Sequence, residues 1–304
     1  MNVREWALPV YTILIQLAVG ALFVLWVIRS FADSKFSPRE VERIIRNPIL
    51  VIVLTVTVAM GGAHFHLSKP FHSFLAVLNF KSSWLSREIV FTVLFFLATS
   101  FLWFLSRYKN AKQQLITWVG WVAILVGFSI IYCMARIYLI PTQAAWNSKT
   151  ILVSFYVTTL LLGSMTIACL LVLDFKFAEI QKTADVEIRS QVIQDSIFGL
   201  ALIALLSAAA DIIITLYQIY LLDHGDSTAQ TSLRLLLELY VPLLTIRFFL
   251  LVFAPLWFVH AVNRIRKSVS QDLFQSVYMS CLLILIGEIV GRFLFYATHV
   301  RVGI

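Results

Sequence analysis

Eight long apolar runs, separated by short polar connections, constrain this chain more than any other feature. A helix that crosses a bilayer needs about 20 mostly apolar residues, and hydrocarbon offers no partner to a stray backbone N–H or C=O, so runs of this kind must be helical. They lie at Leu8–Ile28, Asn47–Leu67, Glu88–Leu105, Leu115–Ile140, Thr150–Leu173, Ile197–Leu222, Leu235–Val262 and Val277–Val300. No alternation of apolar and polar positions over strand-length segments accompanies them, which excludes a barrel. Composition agrees, because 60% hydrophobic and 13% charged residues are far from the balance of a soluble domain. The expected fold is all-α: a polytopic membrane protein, a bundle of eight transmembrane helices forming a single integral membrane domain over residues 1–304.

The first run lacks a small-residue cleavage site and reads as a retained span rather than a signal peptide. Two connections are longer than the rest, the amphipathic Arg29–Arg46 and the polar Phe175–Ser196. Lysines and arginines divide unevenly between the two sides: the connections after spans one, three, five and seven hold fourteen, and the opposite side holds eight. Arginine and lysine are retained on the cytoplasmic side, so the bias places the first connection in the cytoplasm and both termini outward. The net charge of +8 is spread through these connections and is therefore not a nucleic-acid footprint. Cys133, Cys169 and Cys281 are far apart in apolar segments, with no spacing that would hold an iron–sulfur cluster.

The connection between spans two and three is where ionisable groups gather at an apolar boundary. His64-Phe65-His66-Leu67-Ser68-Lys69-Pro70 closes one span, and Ser83-Trp84-Leu85-Ser86-Arg87-Glu88-Ile89 opens the next. Ser86 reads as an N-cap that sets Arg87 and Glu88 in the first turn of span three. A histidine at a helix C-terminus and a glutamate at an N-terminus also suit the helix dipole, so either alone is compatible with a purely structural role. His64 and His66 are about 200° apart around a helix and cannot point into one site. On the same side, Ala135-Arg136-Ile137-Tyr138 leads through Pro141 to Trp146-Asn147, where an arginine and aromatics suit either interface anchors or a binding site. A bis-histidine haem needs histidines well inside facing helices. Here His72, His224, His260 and His299 all lie at or near loop ends, which argues against haem.

Charges deeper in the apolar runs are costly unless paired, protonated or hydrated, and intramembrane ionisable groups are functional candidates for that reason. Asp211 lies in span six, Arg247 in span seven, and Glu288 and Arg292 in span eight. The four-residue spacing of the last two allows an ion pair along their own helix. Asp211 can pair with Arg247 if their helices meet, and the small residues Ser207-Ala208-Ala209-Ala210 would let another helix come close. These four are candidate structural or proton-related charges.

Three stretches in order, the His66-to-Glu88 junction, Ala135–Asn147 and Gly287-Glu288-Ile289-Val290-Gly291-Arg292-Phe293-Leu294-Phe295-Tyr296, make the chain resemble the membrane-anchor subunit of the bacterial anaerobic dimethyl sulfoxide reductases. The resemblance extends over nearly the whole length. It implies a haem-free subunit of the bacterial cytoplasmic membrane that oxidises menaquinol in anaerobic respiration. It also implies two partners, a four-cluster ferredoxin-like iron–sulfur subunit and a molybdopterin catalytic subunit, with no cluster, haem or metal in this chain. Carried over by position, it associates His66 and Glu88 with menaquinol as the catalytic pair. Ser68 stands where the family more often has glycine, and His64 is an additional histidine, so either His64 or His66 can be the one that faces the quinol. The residue chemistry is compatible: quinol oxidation releases two electrons and two protons, a histidine and a buried glutamate can accept protons, and Arg87 and Arg136, with Tyr138 beside them, can stabilise negative charge on the ring oxygens. A different class of function is a secondary transporter or channel in which Asp211, Arg247, Glu288 and Arg292 line a polar path. The chain has no evident internal repeat to match that class.

Overall fold

The computed structural model describes residues 7–66, 77–108, 111–264 and 271–300. It is all-helical. Eight of its helices are long and apolar enough to cross a membrane: α1 (Ala7–Ala32), α2 (Pro38–His66), α3 (Trp84–Arg107), α4 (Gln113–Tyr138), α5 (Lys149–Gln181), α6 (Val186–Asp223), α8 (Val241–Arg264) and α9 (Gln271–Ala297). A short α7 (Ser227–Arg234) and a π-helical turn (Leu235–Leu239) precede α8.

Helix starts follow local chemistry. Ser37-Pro38-Arg39-Glu40 forms half of a capping box, with the Ser37 N–H and hydroxyl both donating to Glu40 Oε2 at 2.8 and 2.7 Å and Pro38 in the first helical position, where its missing N–H costs nothing. Ser148 caps α5 and Asp226 caps α7 through bonds to the Thr150 and Ala229 amides. The cap of α3 is Ser83, which accepts from the Ser86 N–H, so Ser86 lies inside the helix and Glu88 sits a turn deeper than its expected place. Both serines can cap; the earlier one does because Trp84 and Leu85 already continue the helix. Between Leu239 and Val241 the expected seventh span is interrupted, and α8 starts with Pro242 as its second residue. A proline has no N–H to bond back to the preceding turn, so the chain breaks there.

The polar Phe175–Ser196 stretch is largely helical. α5 runs on to Gln181 and stops where Lys182 adopts φ 50°, and α6 starts at Val186. Side chains bind these extensions together: Arg189 pairs with Asp174 and with Asp185, and the Asn47 amide donates to Asp174 Oδ1 at 2.6 Å. Lys35 reaches Asp195 at 2.8 Å.

α1 and α5 are the centre of the bundle. Of the apolar window of α1, 72% is buried, and of that of α5, 61%, against 33–39% for the other spans. They cross at Gly20 and Gly163, where a Cβ on Gly163 would collide with the Gly20 carbonyl carbon. With no side chain at the crossing, the two backbones pack directly, which is how helices gain contact in a solvent as apolar as their own side chains. α2, α4 and α9 pack around α1, and α6 packs along α5. The outer helices present residues such as Leu97, Trp118, Leu125, Ile213 and Phe249 outward.

Candidate functional site

The first turns of α3 build one polar boundary. Arg87 donates from Nε to the Phe80 carbonyl at 2.9 Å and from Nη2 to the Lys81 carbonyl at 2.6 Å, tying the preceding turn to the helix. Its guanidinium lies over the Trp84 ring at 4.1 Å, and Arg136, from the last turn of α4, lies over the same ring at 4.9 Å. Trp84 meets Tyr132 edge to face at 5.6 Å. Both guanidinium groups are thus held against one aromatic ring.

Glu88 points the other way, into the bundle, and is only 4% exposed. One turn on, the Thr92 hydroxyl donates to the Glu88 carbonyl at 2.8 Å and bonds the Tyr11 hydroxyl of α1 at 2.8 Å. Tyr11 faces the Glu88 carboxyl, as does Cys133 of α4. Cys133 also lines a groove of about 470 Å³ between α3 and α4, together with Phe80, Trp84, Arg87, Phe91, Phe128, Tyr132 and Tyr156. An aromatic trough with a guanidinium at its edge and a buried carboxyl behind its wall suits a flat apolar ring that carries hydroxyl groups.

Tyr138 lies deeper. Its ring packs on Trp146, Phe155, Phe295 and Tyr296 at centroid distances of 5.3, 5.9, 5.1 and 5.7 Å, and its hydroxyl bonds that of Tyr296. Trp146 belongs to the same cluster: it is 8% exposed, donates from Nε1 to the Phe295 carbonyl at 2.8 Å and stacks on His299. It is therefore an interior residue and not an anchor at the lipid boundary.

The four deep charges come together across α6, α8 and α9. Asp211 is fully buried and accepts from Arg247 Nη2 at 2.5 Å, while Arg247 Nη1 donates to Thr215 at 3.2 Å. Gly291 makes room for this arginine, since a Cβ there would collide with its Nε. Glu288 and Arg292 do not form an ion pair with each other. Thr158 of α5 donates to Glu288 Oε2 at 3.1 Å, and Arg292 donates to Gln16 Oε1 of α1 at 2.5 Å while its guanidinium lies 4.2 Å over Phe155. Gln16 in turn donates to the Phe155 carbonyl at 2.9 Å. The spacing that allows a pair along α9 is overridden because α1 and α5 present partners closer to each group.

A family model described as the DMSO reductase anchor subunit (DmsC) matches residues 1–298. The chain belongs to this family. Among curated proteins, the C subunit of the anaerobic dimethyl sulfoxide reductase of Haemophilus influenzae is 26% identical over 307 residues, covering 100% of this chain and 98% of that protein. The anaerobic dimethyl sulfoxide reductase subunit YnfH of Escherichia coli K12 is 27% identical over 301 residues, with 99% and 96% covered. The C subunit of the Escherichia coli K12 reductase is 25% identical over 306 residues, with 99% and 96% covered.

In this DmsC-family protein, the structure brings Arg87, Arg136 and Glu88 to one boundary, with Arg87 alone of the three lining the groove. His64 is exposed in the last turns of α2. The His66 side chain and residues 67–76, including Ser68, Lys69 and Pro70, lie outside the described residues. Tyr138 stands in the aromatic cluster rather than at the groove lining. Sequence reasoning passed over Tyr11, Gln16 and Thr158, and read Cys133 only as a thiol in an apolar segment. Gln16 carried a signal, as an amide in the otherwise apolar first run; the others are unremarkable until helix packing sets them beside a charge. Cys169 and Cys281, distant in sequence, are neighbouring free thiols. Among the described residues no group of three or more His, Cys, Asp or Glu side chains is placed to hold a metal ion.

Proposed function

We propose that this protein is the haem-free, quinol-oxidising membrane anchor of a molybdopterin oxidoreductase complex of the dimethyl sulfoxide reductase type, in the bacterial cytoplasmic membrane. Menaquinol binds at its outward face in the groove beside Glu88. Electrons pass to a four-cluster ferredoxin-like iron–sulfur subunit and from it to the molybdopterin subunit that carries the terminal reduction. Family membership and the names of the relatives, each a component of an anaerobic dimethyl sulfoxide reductase, support the assembly.

The observation that carries the quinol reading is the buried Glu88 carboxyl behind an aromatic groove. Oxidation of a quinol to a quinone gives up two electrons to the iron–sulfur partner and one proton from each hydroxyl. Glu88 accepts one of these protons, oriented by Tyr11, and His66 accepts or orients the other. Arg87 and Arg136 favour negative charge on the ring oxygens as the protons leave. The prenyl tail runs along the apolar surfaces of α3 and α4. For Glu88→Gln, in complex that assembles normally in membranes, quinol-dependent turnover should fall by about 10²–10⁴-fold, the usual worth of a positioned proton acceptor. Turnover driven by an artificial donor at the partner subunits should be retained. Full quinol-dependent turnover would remove Glu88 from the mechanism.

A further inference from the structure

A separate cavity of about 80 Å³ lies between α5, α6, α8 and α9, lined in its polar part by Ser154, Thr158, Thr215, Arg247, Glu288 and Arg292. It is too small for a quinol and large enough for several waters. Glu288 is 3% exposed, and only one of its carboxyl oxygens is satisfied: Oε2 takes the Thr158 hydroxyl, whereas Oε1 is buried without a partner. Arg247, which also lines the cavity, has its Nε buried without a partner. An unsatisfied carboxylate oxygen and guanidinium N–H, on two residues that line one polar cavity inside a membrane, call for hydrogen-bonding solvent, because leaving either bare is costly.

The cavity has a neighbour on the surface side. A second, shallower cavity of about 340 Å³, bordered by Asn147, Ser148 and Asp226 at the end of the bundle, shares Ala145, Gln218 and Leu222 with the first. Gln218 stands at the junction and donates from Nε2 to the Ala145 carbonyl at 3.0 Å. Only these shared residues separate the surface cavity beside the α4–α5 connection from the inner cavity that Ser154 and Glu288 line.

We infer that these two cavities form a water-filled half-channel from that surface to Glu288, and that Glu288 is a proton-exchange site served by it. The exchange is an acid–base step: the proton on Glu288 passes to a cavity water, leaving a carboxylate and a hydronium ion that departs along the route, and the reverse step reprotonates it. The charged groups around Glu288 are Asp211 of α6, Arg247 of α8 and Arg292 of its own helix, with the Thr158 hydroxyl of α5 as its direct partner. Asp211 is committed to Arg247, which leaves Glu288 as the carboxyl free to exchange. The site does not depend on the quinol reading, because neither cavity shares a lining residue with the groove between α3 and α4.

Two measurements on the assembled complex in sealed vesicles test this, with the three native cysteines replaced. Gln218→Cys at the junction and the near-isosteric Ser154→Cys inside should react with a small, charged, membrane-impermeant thiol reagent from one side only, the side on which Asn147→Cys reacts. The lipid-facing Ile213→Cys should stay unmodified. An infrared difference spectrum between mildly acidic and alkaline buffer should contain a protonated-carboxyl band that shifts in D2O and is lost in Glu288→Gln. Protection of Ser154→Cys while Asn147→Cys reacts would overturn the half-channel. A spectrum unchanged by Glu288→Gln would overturn the exchange site.

Discussion

Asp211 and Arg247 show how strongly a single pair is held inside a bundle. Asp211 is fully buried, Arg247 is 9% exposed, and Gly291 provides the space in which the arginine lies. Attraction between such groups is offset by the cost of taking both out of water, so the pair adds little by existing, but removing one member leaves a charge without a partner. Asp211→Ala should therefore lower stability by about 3–5 kcal/mol, read as a depressed thermal midpoint of the detergent-solubilised complex. Asp211→Ala combined with Arg247→Leu should recover most of that loss, because no uncompensated charge remains. At this scale the sequence was informative about which residues are costly and uninformative about which would meet. Arg292 illustrates the limit: Glu288 is available one turn away on its own helix, yet Gln16, more than 270 positions earlier, is the partner it reaches.

Among the helices, α1 and α5 owe their central place to two glycines. Because a Cβ on Gly163 would meet the backbone of α1 rather than the end of a flexible side chain, the crossing can accept one only by moving a whole helix. Gly163→Ala should cost about 1–3 kcal/mol, the usual range for overpacking, with a matching fall in thermal midpoint and in the amount of assembled complex. Gly199→Ala on α6, where a Cβ meets nothing within 4 Å, is the control and should be neutral or slightly stabilising. The existence of these helices is legible in the apolar runs. Their ends are less so, because polar extensions such as those around Lys182 and the start of α3 obey caps and ion pairs that hydropathy does not register. The centrality of α1 and α5 is not legible in hydropathy, since all eight spans are similarly apolar.

For the whole molecule, the uneven basic residues carry a prediction about orientation. With fourteen lysines and arginines on one side of the spans and eight on the other, both termini should face outward. A C-terminal fusion to alkaline phosphatase should be active and a fusion to green fluorescent protein dark; the reverse pair of results would turn the molecule over and move the α3–α4 groove to the cytoplasmic face. The class of fold, the helical spans, the family and the candidacy of Glu88, Arg87 and Arg136 are all readable from residue order. Hydrocarbon thickness sets the length of a run, and local motifs sit within a few residues of each other. Tertiary structure alone decided that Tyr11 and Cys133 face Glu88, that Thr158 and Gln16 take the partners a helical spacing would have assigned to each other, and that a polar cavity ends on Glu288. The physical reason is that local rules determine whether a segment is helical, while the rotation and crossing of one helix against another determine which side chains share a space.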